Sequence, residues 1–169
     1  MSQIVVELLS ADQWQRAKSL RLASLGDSPH AIGGDLESES AQSETEWRAK
    51  FEKLYYLIAS VEGIDCAIMT IENLAGAFGA KAWIGACWSS PQYRAIGLLR
   101  AMMKYVDQHA LEKGWQRQGL FVLEDNKLAI AVYERLGFVA MGEPMLSTKF
   151  QGKFKILMIR DAEDDQLIA

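Results

Sequence analysis

The spacing of apolar and polar positions changes several times along these 169 residues, and each change predicts a new element. Residues 3–9, QIVVELL, are an apolar run of strand length. From residue 11 to 25 the period becomes helical. Trp14, Ala17, Leu20 and Leu25 then share a face, with Ser10 or Asp12 as the cap. The segment GDSPHAIGGDLESESAQSETE carries Asp27, Asp35, Glu37, Glu39, Glu44 and Glu46 with no lysine or arginine between them, and reads as a solvated loop. A second helix over about 43–54 uses Trp47, Phe51 and Leu54.

At Tyr55 the pattern turns to strand. YYLIASVE and CAIMTIE form a hairpin across Gly63-Ile64-Asp65. A small-residue loop, LAGAFGAK, leads to the strand AWIGACW, where Gly85 hints at a bulge or a close backbone approach. After Pro91 a helix running to about Lys113 projects Leu98, Leu99, Met102, Val106 and Ala110 over one arc, opposite Arg100, Lys104, Asp107 and Gln108. Gly114 ends it. GLFVLE is a nearly continuous apolar strand of the kind a covered sheet requires. Asp125 or Asn126 caps a short helix with Leu128, Ala129, Val132 and Leu136 inward, Gly137 stops it, and Phe138 starts another strand. A last strand covers 153–160. The order β-α-α-β-β-β-α-β-α-β-β predicts a single α/β (α+β) domain over 1–160, followed by a charged, frayed tail over 161–169.

Composition narrows the function. The net charge of −4 gives no global basic field, so nucleic acid is not an expected partner. No stretch reaches membrane-spanning length and the N-terminus lacks the pattern of a signal peptide, which together suggest a cytoplasmic protein. Cys66 and Cys87 lie in separate apolar strand runs, so buried thiols are expected rather than a disulfide or a metal site. His30 and His109 are the only histidines, and no metal is expected.

The stretch WSSPQYRAIGLLRAMM, Trp88 to Met103, is where chemistry concentrates. A strand end passes through a turn into a helix, which aims backbone N–H groups and the positive end of a helix dipole at one spot. Such a spot binds anions, and Arg94 adds a forked cationic donor.

PQYRAIGLLRAMM followed by LFVLEDNKLAIAVYERLGF resembles the GNAT superfamily of acyl-CoA-dependent N-acyltransferases. Arg94-Ala95-Ile96-Gly97-Leu98-Leu99 matches the first and fourth places of the family's R/Q-x-x-G-x-G/A. Asn126, Ala129, Tyr133, Gly137 and Phe138 fall in register with its N-x-x-A-x-x-x-Y-x-x-x-G-F. Upstream, RLASLGDSPHAIGGDLESES…EWR is similar to a subgroup whose first two helices border the acceptor site. The resemblance implies one GNAT-like domain, with a mixed, mostly antiparallel sheet and helices on both faces.

It also implies roles. The CoA pyrophosphate would lie on backbone N–H groups of Arg94, Ala95, Ile96, Gly97, Leu98 and Leu99. The pantetheine arm would run beside Cys87, Trp88 and Ser89 between two splayed strands, with Asn126 touching it. Tyr133 would stand near the sulfur and protonate the leaving thiolate. The implied co-substrate is acetyl-CoA, and the implied acceptor is a primary amine of a small molecule or peptide. The acidic segment would favour a cationic amine. A homodimer is left open.

Two positions depart from the motif: Leu99 stands where Gly or Ala is usual, and Ala95 where Gly is common. The general base is open among Glu62, Glu72, Glu124, Asp35 and Glu37. The competing reading is a catalytically weak CoA-binding or regulatory module on the same fold.

Overall fold

The computed structural model describes residues 2–163; the predicted tail beyond Glu163 lies outside the described residues. Seven strands form one mixed sheet in the order β1-β2-β3-β4-β5-β7-β6. They are β1 Ile4–Leu8, β2 Leu54–Val61, β3 Ile64–Asn73, β4 Ala82–Ser89, β5 Arg117–Leu123, β6 Val139–Leu146 and β7 Phe154–Asp161. The β4–β5 pair is parallel, through Ala82↔Gln118 and Trp83↔Gly119. The β1–β2, β2–β3, β5–β7 and β6–β7 pairs are antiparallel, which makes this an α/β fold of the expected mixed kind. The helices are α1 Trp14–Asp27, α2 Leu36–Ser40, α3 Glu44–Lys50, α4 Leu98–Lys113 and α5 Lys127–Arg135. The chain divides into two compact units, Met1–Glu72 with Ala86–Met102, and Asn73–Gly85 with Met103–Ala169.

In the first unit, Ser10 rather than Asp12 opens the path into α1. Its N–H donates to Gln13 Oε1 at 2.9 Å, while Asp12 accepts from Arg48 at 2.8 Å. The core joins Leu9, Ala17, Leu20, Trp47, Tyr56, Ile58 and Ile68, with Trp14, Phe51, Leu54 and Trp88 at its edge. Burial of such side chains is the main favourable term in folding. The β2–β3 turn is tighter than expected. Glu62 and Gly63 both take positive φ, +52° and +79°, and Ile64 and Asp65 already belong to β3. Two left-handed residues match the twist of the flanking strands, so Val61 pairs with Ile64 directly.

The acidic segment contains a helix rather than a continuous loop. Asp35 Oδ2 accepts from the Ser38 N–H at 2.9 Å and so nucleates α2. The expected 43–54 helix shortens to Glu44–Lys50 because Leu54 is already paired with Glu72 across β2–β3.

In the second unit, Trp83 lies where a Cβ on Gly119 would come within 2.7 Å of its ring. It stacks on Phe121 at 5.4 Å, and Lys155 Nζ lies 4.2 Å from the Phe121 centroid. Phe121 is nonetheless 45% exposed, against the expectation of a strand covered throughout. On α5 the predicted inward Leu128 is 85% exposed, while Ala129, Val132 and Leu136 are half-buried. The Asn126 cap sets this rotation: its Oδ1 accepts from Ala129 N–H at 3.3 Å.

Arg160 on β7 is 4% exposed and makes four hydrogen bonds. It forks onto both oxygens of Asp107 on α4 at 2.7 and 2.8 Å. It also donates to Gln118 Oε1 at 3.0 Å and to the Leu136 carbonyl at 2.7 Å, which ties α4, β5 and the end of α5 to β7. Removing one partner of a buried pair leaves an uncompensated charge. Asp107→Ala should therefore lower stability by about 3–5 kcal/mol, whereas Asp161→Ala, which breaks the exposed pair with Arg117, should cost at most about 1 kcal/mol. Urea unfolding midpoints of the two variants check this contrast.

Candidate active site

The end of β4 is anchored by the Ser90 N–H, which donates to the Cys66 carbonyl of β3 at 2.8 Å. Ala86, inside β4, has φ +52°, so the irregularity expected at Gly85 falls one residue later. Pro91–Tyr93 then makes a single 3-10 turn, closed by Tyr93 N–H to the Ser90 carbonyl at 2.9 Å. The helix predicted directly after Pro91 does not start there. Arg94 is extended, Ala95 has φ +64° and Gly97 has φ +90°, and α4 opens only at Leu98. These left-handed residues reverse the chain between strand and helix.

The N–H of Ala101 donates to the Gly97 carbonyl at 3.0 Å. The N–H groups of Leu98, Leu99 and Arg100 precede that bond and have no acceptor within the helix. Arg94, Ala95, Ile96 and Gly97 are exposed, while Leu98 is buried and Leu99 half-buried. The deep position thus belongs to Leu98, together with Met102, Met103, Val106 and Ala110. Leu99 flanks them. Gly97 is required by its φ: a Cβ there would meet no atom within 4 Å.

Asp27, the last residue of α1, joins the residues expected at the site. Its Oδ2 accepts from Trp88 Nε1 at 2.9 Å, from Ser28 Oγ at 2.7 Å and from Arg94 Nη2 at 2.6 Å. Arg94 Nε also donates to the Ser89 carbonyl at 3.1 Å. Three of the predicted residues, Trp88, Ser89 and Arg94, are therefore joined by one carboxylate and one carbonyl. The signal in the sequence was a carboxylate at a helix C-terminus, where the dipole disfavours it. The Trp88 indole first, then the Ser28 hydroxyl and Arg94, hold the Asp27 carboxyl down at about 2, below the ordinary 3.8. A depressed carboxyl contributes stability that is complete above its unfolded pKa and is lost as pH falls from about 4 towards 2. Asp27 is a carboxylate throughout the neutral range.

Four other acids of the segment have structural employment. Asp35 caps α2, Glu46 closes a capping box with Ser43, and Glu44 pairs with Arg48. Glu39 pairs with Arg21 at 3.2 Å, and Arg21 Nη2 donates to the Gly33 carbonyl at 2.7 Å. Of the general-base candidates, Glu62 sits in the β2–β3 turn and accepts from Ser2 Oγ at 2.9 Å, and Asp35 is consumed as a cap. Glu37 lies on α2, Glu72 near the end of β3 and Glu124 just after β5. Tyr56, buried beside the Trp47 and Phe51 rings, has its phenol pushed up to about 12, chiefly by that burial.

In the second unit, Asn126 caps α5 and Tyr133 lies seven residues on, two helical turns along the same side. Tyr133 is half-buried and meets Phe138 edge-on at 5.7 Å. Cys66 and Cys87 form no disulfide. Among the described residues no group of three or more His, Cys, Asp or Glu could hold a metal ion, and no helix is long and apolar enough to cross a membrane.

The two left-handed residues make a paired prediction. Ala95→Gly should leave stability within about 1 kcal/mol of the parent, because glycine relieves strain but loses more entropy on folding. Gly97→Val should cost about 1–3 kcal/mol by forcing a β-branched residue to positive φ. Thermal melts of the two variants read the difference.

Comparison with known proteins gives this turn a context. A model of the acetyltransferase (GNAT) family matches residues 22–138, from within α1 to Phe138. Among solved structures, the fold is similar to that of yncA from Salmonella typhimurium with its cofactor acetyl-CoA (TM-score 0.72, 13% identity, 95% of each chain covered). It is also similar to the PaiA N-acetyltransferase of Thermoplasma acidophilum in complex with coenzyme A (TM-score 0.70, 14% identity, 94% of this chain and 99% of that one). A third is the ribosomal-protein-S5-alanine acetyltransferase of Vibrio fischeri (TM-score 0.75, 14% identity, 97% and 98%). A family match over most of the chain, with the strand, the left-handed turn and the helix start inside it, shows that this protein belongs to the acetyltransferase (GNAT) family.

Proposed function

We propose that the protein transfers an acetyl group from acetyl-CoA to a primary amine of a small molecule or peptide, by direct attack and without a covalent enzyme intermediate. The observation that carries this reading is the turn at Arg94–Leu99. The open N–H groups of Leu98, Leu99 and Arg100 stand at a helix N-terminus next to an exposed guanidinium, a donor set suited to a pyrophosphate. The acetyl-CoA and CoA complexes of two structures with this fold support it.

In this reading the end of β4, at Cys87, Trp88 and Ser89, runs beside the pantetheine arm. A strand N–H there would polarise the thioester carbonyl, as a preorganised donor does for a developing oxyanion. The neutral amine nitrogen attacks the carbonyl carbon, the carbon–sulfur bond breaks, and the thiolate takes a proton from the Tyr133 hydroxyl. The proton lost by the amine goes to water or to a carboxylate, and Tyr133 recovers its own from solvent. Asn126 is assigned to the pantetheine arm through its amide NH2, since the cap uses its oxygen.

The test is thiol release from acetyl-CoA against a panel of amines, beside calorimetry with CoA. Turnover on at least one amine is expected. CoA binding with no turnover on any amine would favour a binding or regulatory module. Tyr133→Phe should lower kcat by about 10²-fold or more while the KM for acetyl-CoA changes little. A near-normal kcat in that variant would leave the thiolate to be protonated by water.

A further inference from the structure

Asp27 occupies a position that local electrostatics disfavour. It ends the 14-residue α1 at the negative end of the dipole, with no basic residue in the last turn. Its single oxygen Oδ2 nevertheless collects three donors, and two of them, the Trp88 indole and the Arg94 guanidinium, come from the segment read above as the CoA cradle. We propose that Asp27 is a positioning residue for acetyl-CoA, fixing the Arg94 fork and the Trp88 ring in the orientation the co-substrate meets. This rests on the reading that the Arg94–Leu99 turn holds the pyrophosphate.

Donor accounting for Arg94 supports the role. A guanidinium has five N–H donors. The Ser89 carbonyl takes the one on Nε, and Asp27 takes one on Nη2. These two contacts lie along one edge of the plane and fix its orientation. Both donors on Nη1 and the second on Nη2 remain for an anion, and the side chain is 48% exposed. A flexible arginine would lose that order, and holding it in advance lowers the entropic cost of binding.

The second contact acts on Trp88, whose ring lies at the edge of the Leu20, Trp47 and Tyr56 core. With its Nε1–H on Asp27 at 2.9 Å, the indole has one orientation that satisfies both core and carboxylate. An ion pair this exposed contributes little to stability, so orientation is the larger effect open to it. A purely structural residue would shift melting and leave co-substrate affinity alone.

The experiment measures KM for acetyl-CoA, kcat, CoA affinity by calorimetry and melting temperature for Asp27→Ala, Asp27→Asn, Arg94→Ala and the Arg94→Ala/Trp88→Phe pair with and without Asp27→Ala. Asp27→Ala should raise KM by about 10-fold or more, the scale of one charge-assisted hydrogen bond, with kcat within about threefold. Asp27→Asn keeps an oxygen that accepts from both donors and should restore KM to within about threefold of the parent. In the Arg94→Ala/Trp88→Phe background, Asp27→Ala should add less than about twofold, because its partners are already gone. An unchanged or lowered KM in Asp27→Ala, or a full added effect in the double background, overturns the proposal. If Arg94→Ala binds CoA as tightly as the parent, the pyrophosphate assignment itself fails, and the positioning role with it.

Discussion

The constraint on which the site depends is the passage from β4 into α4. A strand leaves its last residues extended, and a helix begins with N–H groups that no earlier turn can accept. Here the chain makes that passage with one 3-10 turn and two left-handed residues, Ala95 and Gly97, before the helix opens at Leu98. Had the helix begun at Pro91, the same N–H groups would have been spent as internal hydrogen bonds. The left-handed break is what leaves them at the surface beside Arg94. Glycine at position 97 is explained by conformation alone, since space around it is open.

Much of this was legible in the sequence. The order of elements follows from changes of period, and the caps at Ser10 and Asn126 are each one of the two residues the sequence offers there. What was not legible has common physical causes. Turn placement depended on backbone signs that side-chain pattern does not encode, so Glu62 rather than Asp65 sits in the β2–β3 turn. Helical face was misjudged at Leu128, because a nine-residue helix offers too few apolar positions to define a face, and the cap set its rotation. α2 was hidden because LESES has no apolar period, and its start depends on one Asp35 hydrogen bond. The partners of Asp27 lie 61 and 67 residues away in the chain, so a carboxylate at a helix C-terminus is the only local trace of them.

Charge is used in two distinct ways. Arg160 and Asp107 are buried and paired, and Gln118 and the Leu136 carbonyl accept two further donors of the guanidinium. Such a network costs much to dehydrate and more to break, and it specifies how α4, β5, β7 and the end of α5 meet within the second unit. The Asp27–Arg94 pair is half in solvent and leaves part of the fork unused. The first arrangement engages four of the five guanidinium donors and the second two. That difference separates a buried arginine held by its neighbours from a half-exposed one with donors to spare.

The same accounting changes what the acidic segment can offer an acceptor. Six carboxylates between Asp27 and Glu46 suggest a negative field able to draw in a cationic amine. Arg94 partners Asp27, Arg21 partners Glu39 and Arg48 partners Glu44, so three of those charges are offset within a few ångströms. Asp35 and Glu46 spend oxygens on backbone N–H groups at helix starts, where the dipole partly compensates their charge. Glu37, exposed on α2, also lies at such a start. The field beyond the loop is therefore weaker than the count implies, and salt screens what remains within about 8–10 Å. Selectivity for an acceptor must then come from close contacts and shape more than from attraction at a distance, and a strongly salt-dependent acceptor KM is not expected of this chain.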